Sequence, residues 1–546
     1  DTGARAAAKS QLSPASAEAM ARDRARTADQ LTRLETLPRE ELTGLAAVNY
    51  DAVHYGLATR AASNRLFAYG GDGPGSPYVL SQLNGAYQDV PDFLGSQHVI
   101  ETRADAEAYL ARLEAFATVL DQETELARAE AAMGVVPPDF VIERALTQMN
   151  GLKTAPADSH LMTSVAERAR ARGLEGDFAA AASAIYTDKV APALDRQIAL
   201  LSSWAPQAVH EAGCWRLPDG EAFYEHSLRA FTTTTLSAEE VHQLGLEQAR
   251  ELSARAEVIL QAQGYTQGSV GERIAALFKD PQYHYPNTDA GKVELIESLN
   301  AMTEAMAKRL PDYFGTLPKA PVEVRRVPSF IEAGAPGGYY NQPTLDGSRP
   351  GIFWINLRDT AENPTWTLPT LTYHEALPGH HMQLALQQEA DLPMIRRATF
   401  ISAYGEGWAL YAEELAKEMG VYEDNPLGEL GYLQAALFRA ARLVVDTGLH
   451  AKRWSREQAI ETMSSIDGLS NSSATTEIER YAVWPAQACS YMVGKLTWLR
   501  LRDKARQALG PRFDMAAFHD AGLLSGAMPL TVLEAVIDNH IAARRA

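Results

Sequence analysis

The sequence predicts a mainly α-helical protein with one small β insertion, and three observations carry that expectation. Leu, Ala, Glu and Arg dominate long segments in which apolar residues recur three and four positions apart, the spacing of one helix face. At several segment starts a hydroxyl residue stands three positions before Glu or Gln, a pattern that satisfies opposed backbone N–H groups. Only between about Pro321 and Asn356 does the pattern turn to β-type runs, "VEVRRV" and "GIFWIN", separated by the turn-rich "APGGYYNQPTLDGSRP".

In chain order, "ADAEAYLARLEAFATVLDQETELARAEAAMG" (Ala104 to Gly134) and "GDFAAAASAIYTDKVAPALDRQIALLSSW" (Gly176 to Trp204) predict long helices. Ser237 with Glu240, Ser455 with Gln458 and Thr531 with Glu534 predict helix starts. We therefore expect an N-terminal helical part, residues 1–235, covering a cleft. A second helical part, residues 236–546, should carry the chemistry and hold the β region at about 321–357.

Composition removes several classes of function. Apolar residues make up 46% and charged residues 22%, as in a globular chain rather than a disordered one. A net charge of −19 with a pI near 5.2, without a compensating basic cluster, repels phosphate backbones, so no nucleic-acid partner is expected. No run approaches the ~18 apolar residues of a membrane span. Cys214 and Cys489 lack metal or redox spacing and read as structural, with one long-range disulfide the alternative. A start at Asp1 without Met suggests a processed terminus, hence a periplasmic or secreted protein, with the cytoplasm the alternative.

The chemistry concentrates in "YHEALPGHHMQ", Tyr373 to Gln383. A zinc hydrolase needs imidazole or carboxylate ligands on one ion, an open position, and a carboxylate base. The usual H-E-x-x-H puts both imidazoles on one helix face. His374 and Glu375 fit its first half, but the second is displaced to His380 or His381. On a regular helix His381 would lie about 10.5 Å along the axis from His374. A shared ion therefore requires an irregular helix, and Pro378-Gly379 supplies a cause for a bulge. The competing reading is a polar helix end stabilised by its dipole.

A third ligand is expected downstream in "SAYGEGWALYAEELAKE", where Glu406 stands between Gly405 and Gly407, with Trp408 and Tyr411 to exclude water. Glu413 and Glu414, in a run with Lys417, read as a solvated face. His450 reads either as a donor to a substrate carbonyl or as a charge at a helix C-terminus. Tyr339, Tyr340 and Asn341 are expected to line the cleft, and "GIFWIN" to accept an extended peptide as an added strand, with a β-hairpin packing on helices the structural alternative.

Six separated segments extend this picture: "GCWRLPDGEAFYEHSLRAFTTTTLSAEEVHQLGLEQ", "DGSRPGIFWIN", "HEALPGHHMQ", "GEGWALYAE", "RLVVDTGLHAKRWSREQAI" and "ERYAVWPAQACSYMVGKL". In this order they resemble the bacterial domain-of-unknown-function family 885, grouped with gluzincin-type zinc metallopeptidases. The resemblance covers most of the chain and implies a large, bundle-like helical peptidase with one zinc ion. Helical oligopeptidases of that superfamily carry H-E-x-G-H. By that comparison His374 and His380 are similar to the histidine ligands, Glu375 to the general base and Glu406 to the glutamate ligand. The inserted Leu-Pro leaves His381 as the alternative second ligand, or otherwise a residue facing substrate. "ERYAVW" resembles a segment of angiotensin-converting-type dipeptidases, which implies Tyr481 as oxyanion donor and Arg480 or Lys495 on a substrate carboxylate. The expected substrate is a short peptide. The alternatives are a non-peptide amide or ester, or a helical binding protein without turnover.

Overall fold

The computed structural model describes residues 8–155, 159–329, 332, 335–345 and 347–545. Asp1, and Asp346 of the "DGSRPGIFWIN" motif, lie outside the described residues. The protein is mainly helical, and its contacts group it into two units. One comprises Asp1–Thr32, Thr59–Phe223 and Ala482–Trp484, the other Arg33–Ala58, Tyr224–Tyr481 and Pro485–Ala546.

In the first unit, α1 (Arg103–Ala132) begins with a reciprocal cap between Thr102 and Asp105. The second expected long segment is α2 (Phe178–Ile185), a π-helical turn Tyr186–Val190, and α3 (Ala191–Trp204). Leu113, Phe116 and Leu120 of α1 meet Leu194 and Leu201 of α3 in a core closed to solvent.

The second unit contains the histidine cluster. Helix α4 (Ala238–Ala262) starts with the Ser237–Glu240 capping box read from sequence. Ahead of the cluster come α5 (Asp289–Ala307) and the strands β1 (Val322–Arg326), β2 (Gly338–Asn341) and β3 (Gly351–Ile355). Next are α6 (Leu368–Glu375), α7 (His380–Glu389), α8 (Ser402–Glu418) and α9 (Pro426–His450), then α10 (Asn471–Val483) and α11 (Ser490–Leu509). Most of α9 is buried on every side, from Leu430 to His450, as expected of an internal helix. It packs along α4 where Gly245 leaves no room for a side chain, since a Cβ there would stand 2.7 Å from that of Leu443. Likewise α8 and α11 approach at Gly407 and Gly494, where an added Cβ on Gly407 would meet the Gly494 Cα at 2.4 Å.

The sheet has the order β1-β3-β2, with β1 parallel and β2 antiparallel to β3. Its apolar face, Val324, Phe353 and Ile355, packs with Leu295 and Leu299 of α5 and Leu368 of α6. That packing anchors the first turn of the helix that carries His374. Two expectations change here. "GIFWIN" forms the central strand, with both edges already bonded, so it has no edge for a substrate strand. The residues Gly338–Asn341, read as turn, form the strand β2, because pairing with β3 outweighs flanking glycine and proline.

The Ser455 side chain accepts the Gln458 N–H as expected. Thr531, by contrast, lies inside the terminal helix Leu530–Arg545. There the Leu530 N–H donates to Thr233 Oγ1, while Glu534 takes Arg500 and Lys504. Tertiary partners displaced the local cap. Among the described residues, no helix is long and apolar enough to cross a membrane.

Candidate metal centre

The geometry begins with the end of α6 at Glu375 and the start of α7 at His380. The sequence led us to expect a bulge within one helix. Instead the helix stops and restarts across Ala376–Gly379, including a cis Leu377–Pro378 peptide bond. Gly379 is required sterically, because a Cβ there would lie 1.9 Å from the His374 carbonyl oxygen. The Trp408 indole N–H, from α8, donates to the Pro378 and Gly379 carbonyls at 3.0 and 3.3 Å. The connection is thus tied to the helix that presents Glu406.

This break folds His380 back onto His374, their rings edge to face with centroids 4.8 Å apart. Glu406 Oε2 lies 3.6 Å from His374 Nε2 and 3.3 Å from His380 Nε2. One candidate ligand atom from each residue lies within 4.8 Å of the others. Ligand bonds of 2.0–2.1 Å in a tetrahedral site place donors about 3.4 Å apart. The two spacings to Glu406 therefore fit a zinc-sized ion.

His374 is braced from behind. Its Nδ1 lies 2.8 Å from Glu413 Oε1, a carboxylate only 1% exposed. This overturns the reading of Glu413 as part of a solvated face. Position 413 lies seven residues after 406, two turns along the same face of α8. A carboxylate on the far nitrogen fixes the tautomer and ring plane of a metal-binding histidine. Burial opposes a charge on His374, but the bonds to Glu406 and Glu413 outweigh it and raise its pKa to about 9. The pocket therefore favours positive charge, as a cation site should. Burial works to raise the pKa of Glu406, yet the two histidines hold it below the usual carboxylate range. His380 Nδ1 is buried with no hydrogen-bond partner among the described residues, so His380 lacks a comparable brace. Two imidazoles, one carboxylate and a carboxylate behind His374 form a donor set that fits zinc.

Glu375 is buried beside the cluster, and burial raises its pKa above the ordinary carboxylate range. His381 faces elsewhere: Tyr340 donates to its Nδ1 at 2.7 Å and its Nε2 donates to the Ala320 carbonyl at 3.0 Å. With both nitrogens engaged it is not positioned as a ligand.

Glu375 and the three clustered residues line one cavity of about 730 Å³, together with Tyr339, Tyr340 and Asn341. Arg480 lines it too. Among the described lining residues the cavity has Tyr491, from the start of α11, and not Tyr481. The Tyr481 hydroxyl donates to Glu477 at 2.6 Å and accepts from Arg442 at 3.0 Å. Nor does Lys495 reach the cavity wall. It is buried against Glu414, 3.0 Å away, and Tyr432, so Glu414 is also no solvated charge.

His450 is buried at the end of α9, its Nε2 donating to the Tyr481 carbonyl at 3.1 Å and its ring stacked on Tyr224. Burial lowers its pKa to about 4, so it carries no charge for the helix end. Nearby, Asp446 accepts from Tyr224 and the Cys489 thiol. Both cysteines are buried and neither is in a disulfide.

Sequence reading missed Arg439, Arg442, Glu477 and Tyr491 on the cavity wall. Their spacing carries no metal pattern. The one available signal was arginines at positions 439 and 442, one turn apart within the largely apolar stretch Ala435–Val445.

The profile of the family described as "Bacterial protein of unknown function (DUF885)" matches residues 1–537. The chain belongs to that family. A crystal structure of a "putative lipoprotein" from Colwellia psychrerythraea is similar to this family member, at TM-score 0.93 and 36% identity, over 98% of this chain and 93% of that one. A putative lipoprotein of unknown function from Shewanella oneidensis shares the fold at TM-score 0.75 and 19% identity, over 97% and 94% of the two chains. No curated protein matches the chain.

Proposed function

We propose that this family member is a zinc-dependent peptidase acting on short peptides. The observation that carries the reading is the convergence of His374, His380 and Glu406 beside a buried Glu375 on one cavity wall. His374, His380 and Glu406 would hold the ion, which would supply Lewis acidity toward a water and a carbonyl. Glu375 takes the proton from the attacking water as its oxygen bonds to the carbonyl carbon. It then delivers that proton to the leaving nitrogen as the C–N bond breaks. Burial suits Glu375 to the first of these roles, because a raised pKa makes its carboxylate a stronger proton acceptor. Tyr491, on the cavity wall, takes the oxyanion-donor role better than Tyr481, whose hydroxyl bridges Arg442 and Glu477. Glu413 holds His374 in its ligating tautomer. A periplasmic or secreted location goes with this reading, supported by the similar structure of the putative lipoprotein from Colwellia psychrerythraea.

The test pairs metal analysis with a panel of short peptides and small amides. Glu375→Gln should keep near-stoichiometric zinc and lose roughly 10²–10⁴-fold in turnover. Full turnover in that variant removes Glu375 from the mechanism, and cleavage of amides alone turns the reading toward an amidase.

A further inference from the structure

Arg439, Arg442 and Arg480 line the cavity that holds the histidine cluster. Of the carboxylates that line it, Glu477 lies 3.2 Å from Arg442 and 3.1 Å from Arg480, Glu375 interacts electrostatically with Arg439, and Glu406 belongs to the histidine cluster. Arg442 is only 6% exposed, its guanidinium held between the Phe438 and Tyr491 rings at 4.1 and 4.6 Å. Its Nε donates to Tyr481 and one terminal nitrogen to Glu477. The other terminal nitrogen, Nη1, is buried with no partner among the described residues. Arg439 spends Nη1 on the Ala435 carbonyl, and its Nε is likewise buried and unpartnered.

Three guanidinium groups against two carboxylates, Glu477 and Glu375, leave one positive charge in surplus on this wall. An arginine cannot shed its proton to relieve it. An unpaired buried donor is costly, and a planar carboxylate is the partner that matches a guanidinium edge in shape and charge. Leu371, Leu384, Phe400 and Phe438 line the same cavity, so it also offers apolar surface.

We infer that the Arg439–Arg442–Arg480 wall receives the free terminal carboxylate of the peptide, with an apolar side chain beside it. The inference rests on the peptidase reading and extends it to a preference for the carboxyl end of the substrate. Cleavage would then occur near that end, because the cavity holding the carboxylate also holds the metal cluster.

Binding to zinc-loaded Glu375→Gln protein separates this inference from the chemistry. Three probes serve: benzoyl-glycyl-phenylalanine, its carboxyl-terminal amide, and benzoyl-glycyl-aspartic acid α-amide, whose one carboxylate is on the side chain. Calorimetry should show the free acid binding roughly tenfold or more tightly than either amide. Adding Arg439→Gln, which spares the Tyr481–Glu477 bonds of Arg442, should remove most of that preference while the melting temperature is retained. Arg442→Gln should remove it as well where that variant folds. Equal binding of acid and amide overturns the inference, as does a preference that survives Arg439→Gln. Equal binding of the aspartate probe overturns the terminal assignment. Wild-type turnover of the free acid is scored separately. A binding preference without cleavage supports the carboxylate site and counts against the peptidase reading.

Discussion

His380 and His381 are neighbours in sequence and opposite in environment. His380 turns Nε2 toward Glu406 and leaves Nδ1 without a partner among the described residues. His381 turns toward the sheet, where Tyr340 and the Ala320 carbonyl take both its nitrogens, and burial lowers its pKa to about 4. Successive side chains on a helix differ by about 100°, so one step on α7 separates the His374–His380–Glu406 cluster from the strand region. What distinguishes the two histidines is the company each keeps: carboxylates make a site for a cation, whereas a hydroxyl and a carbonyl make a neutral joint.

The largest effects should come from exchanging that company. His380→Ala should abolish tight zinc binding and turnover together. His381→Ala should keep near-stoichiometric zinc while losing about 2–4 kcal/mol of stability through the emptied space and two stranded partners. Metal analysis after dialysis, beside thermal melts, reads both. Zinc lost from His381→Ala but kept by His380→Ala would reverse the ligand assignment.

Next comes the brace. Glu413→Gln should weaken zinc binding roughly 10–100-fold, since it removes the carboxylate that orients His374. It also changes the protons released on binding. In the metal-free protein His374 holds its proton up to about pH 9, so zinc binding below that pH must expel it. Release measured by calorimetry in buffers of differing ionisation enthalpy should fall as pH rises through about 9. With Glu413→Gln it should fall at lower pH, because one of the bonds raising the pKa is gone. The same shift stabilises the metal-free fold below the ordinary histidine range, and that contribution is lost as pH rises through about 9. Unchanged release in Glu413→Gln would remove Glu413 from the control of His374.

The split between His380 and His381 also shows what a sequence can carry. Helices were legible where their signals are local, as in the Ser237–Glu240 cap and the period of α1. The cluster was legible from His-Glu followed by Gly-His-His with an acid downstream, the preference for His380 came from the resemblance to H-E-x-G-H, and the helical rise required only that the helix be interrupted. Long-range partners were not legible. Glu413 lies near Lys417 in a charged run, and only the packing of α8 shows that it faces His374 rather than water. Tyr481 is taken out of the cavity by Glu477, one turn earlier on α10, together with the distant Arg442 of α9, and only the second of these partners lies beyond local reading. The strand β2 was hidden for the same reason, since its partner β3 lies ten residues further on.

The smallest expected effect sharpens the neutral half of the comparison. Tyr340 lines the cavity and also donates to His381. Tyr340→Phe keeps the ring but strands a buried imidazole nitrogen, which should cost about 1 kcal/mol of stability. Zinc content should not change, because neither Tyr340 nor His381 belongs to the cluster. Kinetics then separate the two roles of the hydroxyl. If it serves only as a joint between β2 and α7, kcat and KM should both stay near wild type. If it also touches substrate, KM should rise with kcat held. A loss of zinc on this substitution would show that the neutral joint and the cation site are coupled through α7, contrary to the independence that their separate partners indicate.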